Sequence, residues 1–159
     1  MNKQNSLMLS FLGGALAEEQ AAERIFSCNG QSEKFGLSLS KEQSIRIAKF
    51  WTRVLDKTER VEFGTDAVDM LINEMCSSPY ITQNDYENTL CEMIELFYIF
   101  KGETNEKVGD CELVMFMKKA FDEYCHGSTK LLSGRVLEAL VKHIRSGKSI
   151  ETFRCCAEE

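Results

Sequence analysis

The chain is 159 residues long, with seven cysteines and a formal net charge of −6. That length fits one domain, and 43% hydrophobic residues suffice for a proper core. The acidic balance excludes a protein whose main work is coating nucleic acid, which needs a net basic footprint, and leaves room only for a local basic patch. The cysteines (Cys28, Cys76, Cys91, Cys111, Cys125, Cys155, Cys156) are odd in number and form no C-x-x-C pair. They read as free thiols in a reducing, cytoplasmic setting rather than as a disulfide frame or a zinc site.

Near the N-terminus, Lys3, the apolar run Leu7 to Leu12 and Ala15-Leu16-Ala17 imitate a secretory leader. The run is short and Gly13-Gly14 breaks it, so the preferred reading is an amphipathic first helix continuing through Ala21, Ala22, Ile25 and Phe26. Ser40 and Gln43 form a capping box that opens a helix to about Lys57, with a core stripe of Ile47, Phe50, Trp51, Val54 and Leu55. Arg46, Lys49, Arg53 and Lys57 run along its other side as a basic stripe. Two alternating pieces flank this helix, Phe35, Leu37 and Leu39 before it and Val61 and Phe63 after it, and predict a small two-stranded pairing. A further helix is expected from Asp66 to Cys76, and Pro79 prevents its continuation.

Thr82 and Asp85 open the next helix. Its residues Leu90 to Phe100 carry only two charges, Glu92 and Glu95. The early turns are amphipathic, but the polar stripe ends at Glu95, so the last turn needs cover on every side. The helix is too short, and too interrupted by carboxylates, to span a membrane. After a polar connection from Gly102 to Gly109, Asp110 is expected to cap a helix with Leu113, Phe116, Met117, Ala120, Phe121 and Tyr124 inward. Gly127 stops it, and Ser128 starts a last helix with Val136, Leu137, Leu140, Val141 and Ile144 inward, ended by Gly147. The fold class is therefore mainly α, a compact bundle of five or six helices with or without one small two-stranded pairing. Residues 1–150 form a single domain and 151–159 a C-terminal tail.

Several groups invite chemistry. Glu123 and His126 form an E-x-x-H step, half of what a carboxylate-bridged metal bundle requires, and the other histidine, His143, has no matching glutamate. Glu92 and Glu95 are spaced to act together, but their natural counterpart is the basic stripe, so interhelical ion pairing comes first. Cys125 and His126 are neighbours about 100° apart on a helix and cannot act as nucleophile and base there. Cys155-Cys156 is a vicinal pair with no group in view that lowers a thiol pKa. Arg135, Lys142 and Arg145 form a second basic stripe, read as compensation of the helix dipole before any nucleic-acid surface. No G-x-G-x-x-G, P-loop or H-E-x-x-H is present, and no cofactor is expected.

The sequence resembles an uncharacterised family of small proteins from clostridial-type anaerobic bacteria, classed as a domain of unknown function. The pieces that carry the likeness are Cys28-Asn29, Phe35-Gly36-Leu37, Arg60-Val61-Glu62-Phe63-Gly64, Ser78-Pro79-Tyr80-Ile81, Tyr86 and Leu90. Phe97-Tyr98-Ile99-Phe100-Lys101-Gly102-Glu103 and the Met117 to Ser128 stretch complete it. The resemblance implies a cytoplasmic, mainly helical domain and assigns no activity, cofactor or catalytic residue. The expected function is a non-enzymatic protein interaction or scaffold module, through a partner or self-association, using Leu96, Ile99 and Phe100. The rival classes are a metal protein or enzyme using Glu92, Glu95, Glu123 and His126, and a nucleic-acid-binding regulator using the two basic stripes.

Overall fold

A computed structural model describes residues 17–154. The chain folds as helix α1 (17–27), the short α2 (Asn29–Ser32), α3 (Lys41–Lys57), α4 (Asp66–Met75), α5 (Tyr86–Glu103), α6 (Asp110–Lys119), the single turn α7 (Thr129–Leu131) and α8 (Leu137–Arg145). No strand occurs among the described residues, and no helix there is long and apolar enough to cross a membrane. Helix α5 is the axis of the bundle, packed by α3, α4, α6, α7 and α8. Its buried positions lie on every side of the last turns: Met93, Ile94, Leu96, Phe97, Tyr98 and Phe100. The cover that its composition demands thus comes largely from the same chain.

The capping box of α3 forms as expected: the Gln43 N–H donates to Ser40 Oγ (3.0 Å) and the Ser40 N–H to Gln43 Oε1 (2.8 Å). Helix α5 is entered through a 3₁₀ turn at Gln83–Asp85, where the Asp85 carboxylate accepts the Thr82 N–H at 2.8 Å. Asp110 does not cap α6. It is the first residue inside the helix, and its carboxylate instead receives Lys101 Nζ at 2.8 Å. Gly109 holds the cap position with extended backbone.

The expected two-stranded pairing is absent. Residues 37–39 belong to no helix or strand, with Leu37 and Leu39 buried, and two side-chain amides bond their backbone where a partner strand would. Asn29 closes both bonds on the Leu39 backbone (2.8 Å each), and Gln83 does the same for Ser38 at 2.8 and 2.9 Å. These amides satisfy backbone groups that would otherwise need a ladder. Alternation of Phe35, Leu37 and Leu39 holds only in part: Phe35 ends a 3₁₀ turn and is exposed, whereas Leu37 and Leu39 are buried, and nothing in the pattern showed what would pair with them.

Helix α6 continues into a π turn, Ala120–Tyr124, in which the Cys125 N–H reaches the Ala120 carbonyl at 2.9 Å. The extra residue shifts the inward stripe, so Cys125 is buried and Tyr124 only half-buried. Gly127 follows with φ +83°, and a Cβ there would meet the Tyr80 side chain at 2.5 Å. Both backbone sign and space require glycine. Ser128 then caps the last helical run through the Leu131 N–H, and a second π turn, Leu132–Val136, leads into α8.

Part of the expected tail belongs to the packed body. Phe153 is 6% exposed, edge-on to Phe116 (centroids 5.2 Å) and to His143 (5.4 Å). His143 Nε2 donates to the Ser149 carbonyl at 2.6 Å and holds the turn that delivers it. The leader-like segment and Cys155-Cys156 lie outside the described residues. The first helix does bury Ala21, Ala22 and Ile25.

Candidate functional site

Helices α3 and α5 end side by side, and both end the same way. Past Lys57, Glu59 takes φ +56° and the Arg60 N–H returns to the Leu55 carbonyl at 2.8 Å, with the Glu59 N–H on Asp56. Past Glu103, Asn105 takes φ +56° and the Glu106 N–H returns to the Lys101 carbonyl at 2.9 Å, with the Asn105 N–H on Gly102. Both are Schellman ends, and neither has glycine at the left-handed position. The residues just beyond them, Arg60 and Glu106, are then joined by a two-pronged ion pair, one prong of which is 2.7 Å.

That pair turns the loop 58–65 inside out. Arg60 and Glu62 point toward the protein, whereas Val61 and Phe63 point into solvent at 81% and 102% exposure, the highest among the large hydrophobic residues described. The guanidinium of Arg60 lies over the Tyr98 ring, 5.4 Å from its centroid. Tyr98 is buried and its hydroxyl accepts the Trp51 Nε1–H at 3.0 Å, with the Glu62 carboxyl as a near neighbour. Burial pushes the Tyr98 phenol up. Burial, followed by the Asp110 charge, also raises Glu62 above the usual carboxylate range, against the lowering effects of Tyr98, Arg60 and Lys101.

The two cations nearest Glu62 are committed elsewhere. Arg60 is held by Glu106, while Lys101 Nζ donates to the Val108 carbonyl (2.8 Å) and to Asp110 (2.8 Å) and lies 3.7 Å from Glu106. Among the described residues no basic nitrogen lies within ion-pair distance of Glu62. Glu62 and Phe63 form one side of a cavity of about 470 Å³ whose other walls include Ala21, Arg24, Trp51 and Asp66. Arg24 lies 3.7 Å from Asp66 across the mouth, both of them exposed.

The residues singled out from sequence are placed as follows. Phe100 is fully buried, edge-on to Phe116, and Leu96 is 6% exposed. Ile99 is half-buried and, with Leu96, forms the floor of a shallow, open groove of about 260 Å³ walled by Glu92, Glu95, Thr129 and Ser133. Glu95 meets Lys57 at 3.7 Å. Glu92 does not meet the basic stripe: it accepts from Thr129 Oγ1 at 2.5 Å and Asn88 Nδ2 at 3.2 Å. Arg46 is instead paired two-pronged with Glu87 (2.8 Å each), a bond that holds the Glu87 carboxyl below its ordinary range. Lys49, Arg53, Arg135 and Lys142 are exposed, and Arg145 pairs with Glu103 at 3.4 Å.

Glu123 and His126 do not share a helical face. The π turn ends the helix before His126, which has φ +48°, is exposed, and places Nδ1 3.4 Å from the Tyr80 hydroxyl. No group of three or more candidate metal ligands occurs among the described residues. Cys28, Cys76, Cys91 and Cys111 are in no disulfide; burial pushes the Cys28 thiol up to about 12 and Cys91 up to about 11, which removes thiolate character at neutral pH. One polar cluster that sequence reasoning missed joins Asp122 to Ser78 Oγ (2.6 Å) and Lys118 Nζ (2.5 Å). It fastens the Pro79 turn to the π turn.

The loop 58–65 was also missed as a site, although its signal was in view. Arg60-Val61-Glu62-Phe63 alternates with equal regularity on both faces, and period-2 logic puts the apolar face inside. What reverses it is the ion pair to Glu106, 46 residues away in sequence.

Residues 24–150 match the family of unknown function DUF6323, and the chain belongs to that family. No curated protein and no solved structure matches the chain.

Proposed function

We propose that this chain is a protein-interaction module of the cytoplasm, in a clostridial-type anaerobe, and that its contact surface is the loop 58–65. The observation that carries the reading is the inverted loop: Val61 and Phe63 in solvent above Arg60 and Glu62. A mobile loop could expose an aromatic by chance. This loop is fixed from beneath by a Schellman turn, an ion pair and a ring contact, so its two apolar side chains are presented rather than left over. Large aromatic side chains presented on a fixed backbone are the kind of anchor on which interfaces concentrate their affinity. The absence of a disulfide at Cys28, Cys76, Cys91 and Cys111 supports a reducing compartment.

The test is a photoreactive phenylalanine analogue at position 63, compared in the producing cell with the same group at Asn84, which is also exposed. A discrete adduct at 63 that is missing at 84, and that shrinks when Val61→Ser is added, supports the reading. Equal labelling at both positions, or none at either, sinks it.

A further inference from the structure

We infer that the partner of this surface is a protein segment carrying a lysine or arginine beside an apolar residue. The basic group enters the cavity at Glu62 and the apolar neighbour packs on Val61 and Phe63. This rests on the loop 58–65 being the contact surface.

Charge complementarity carries the assignment. Glu62 is a partly buried carboxylate on a cavity of about 470 Å³, with the neutral Tyr98 hydroxyl near it and no basic nitrogen of the described residues within ion-pair distance. Nearby cations exist, but Glu106 and Asp110 have taken them. A carboxylate desolvated in this way lacks the paired cation that normally accompanies burial. At the cavity mouth Arg24 is matched by Asp66, so those two charges cancel and Glu62 sets the sign of the site. The chain as a whole, at −6, adds long-range attraction for a basic segment. An acidic segment is repelled by Glu62, and an apolar one gains nothing from it and would bury it still further. The rim is apolar on the loop side, where Phe63 projects, and Trp51 lies in the wall. A long basic side chain suits this lining, because its methylene stem lies along apolar surface while its head reaches the carboxylate.

Trp51 is the chain's single tryptophan, so its emission reports on the cavity directly. The probes are three nonapeptides on an alanine background with one central lysine, glutamate or norleucine between leucines, each titrated against the full chain at low salt. The lysine peptide is expected to shift Trp51 emission saturably and to bind about tenfold tighter than the norleucine peptide, with the glutamate peptide weaker still. Glu62→Gln, which keeps the size and an acceptor oxygen but removes the charge, should bring the lysine peptide down to the norleucine value. Phe63→Ser should weaken all three alike. Norleucine binding as tightly as lysine, no change with Glu62→Gln, or no saturable binding of the lysine peptide overturns the inference. If Phe63→Ser still weakens binding in the first two cases, the contact surface stands and only the basic partner falls. If Phe63→Ser and the position-63 adduct both show nothing, the surface falls with it.

Discussion

The end of α5 and the loop 58–65 lie against each other and treat their apolar residues in opposite ways. At the end of α5, Leu96, Phe97, Tyr98 and Phe100 are taken into the bundle, and even Lys101 is buried with its ammonium turned back onto Val108 and Asp110. In the loop, Val61 and Phe63 stay outside while Arg60 and Glu62 turn inward. Hydrophobicity alone ranks both regions as core. The difference is that α5 has backbone bonds of its own and is free to bury any face, whereas the loop's direction is dictated by two helix ends and one ion pair. An exposed apolar residue on a chain held that firmly is informative about function in a way that a buried one is not.

The comparison breaks most visibly at Phe100. Phe100→Ala removes a fully buried ring beside Phe116 and should cost about 3–5 kcal/mol in chemical denaturation, enough to unfold a marginal domain. Ile99→Ala, one residue away on the half-buried side, should cost clearly less, and equal losses would mean that the groove is a continuation of the core. Next in size is Tyr98→Phe, which removes the acceptor of the Trp51 indole N–H inside the bundle. About 1–3 kcal/mol should be lost, with a change in Trp51 emission as the independent sign that this bond was the cause.

Capping, amphipathic stripes and glycine stops were legible in the sequence because they depend on residues three or four apart. Ser40 with Gln43, the Ile47 to Leu55 stripe and Ser128 all act where their local spacing puts them. Illegible were the features made by residues far apart. Asn29 and Gln83 replace a strand partner for residues 37–39, Thr129 takes Glu92 away from the basic stripe, and Glu106 inverts the loop through Arg60. The π turn at Ala120–Tyr124 belongs with these, since it moved His126 off the face that the E-x-x-H spacing had given it. The candidate site stayed hidden for the same reason: each of its residues looked ordinary until the two helix ends were brought together.

Smaller effects should separate the support of the loop from its surface. Glu59 is exposed, non-glycine and left-handed, so Glu59→Gly should gain about 0.5–1 kcal/mol by relieving the αL strain, with the peptide preferences unchanged. A loss instead would show that the Glu59 side chain supports the turn. Phe63→Ser should move stability by no more than about 0.5 kcal/mol, because the ring touches little. If it costs as much as a core residue, the loop is packed in solution and the contrast with α5 disappears.

The finest test is the pH dependence of Glu62→Gln. Burial raises the folded pKa of Glu62 above its unfolded value, so between those two values the folded chain holds more protons at this site than the unfolded chain. The contribution of Glu62 to stability therefore falls as pH rises through that window, and above it the ionised carboxylate is a standing cost. Asp69, raised mainly by burial, has the same sign and Glu87, lowered by Arg46, the opposite one, so only the difference between wild type and variant isolates Glu62. Glu62→Gln should melt slightly higher than wild type at pH 7, and the gap should close as pH falls below the ordinary carboxylate range. A variant that melts lower at pH 7 would mean that Arg60 and Lys101 already stabilise the ionised form across the intervening space. Glu62 would then be a satisfied member of the network, with no call for a cation from outside. A variant that melts higher yet no longer distinguishes lysine from norleucine would show a carboxylate kept at the expense of stability for what it binds.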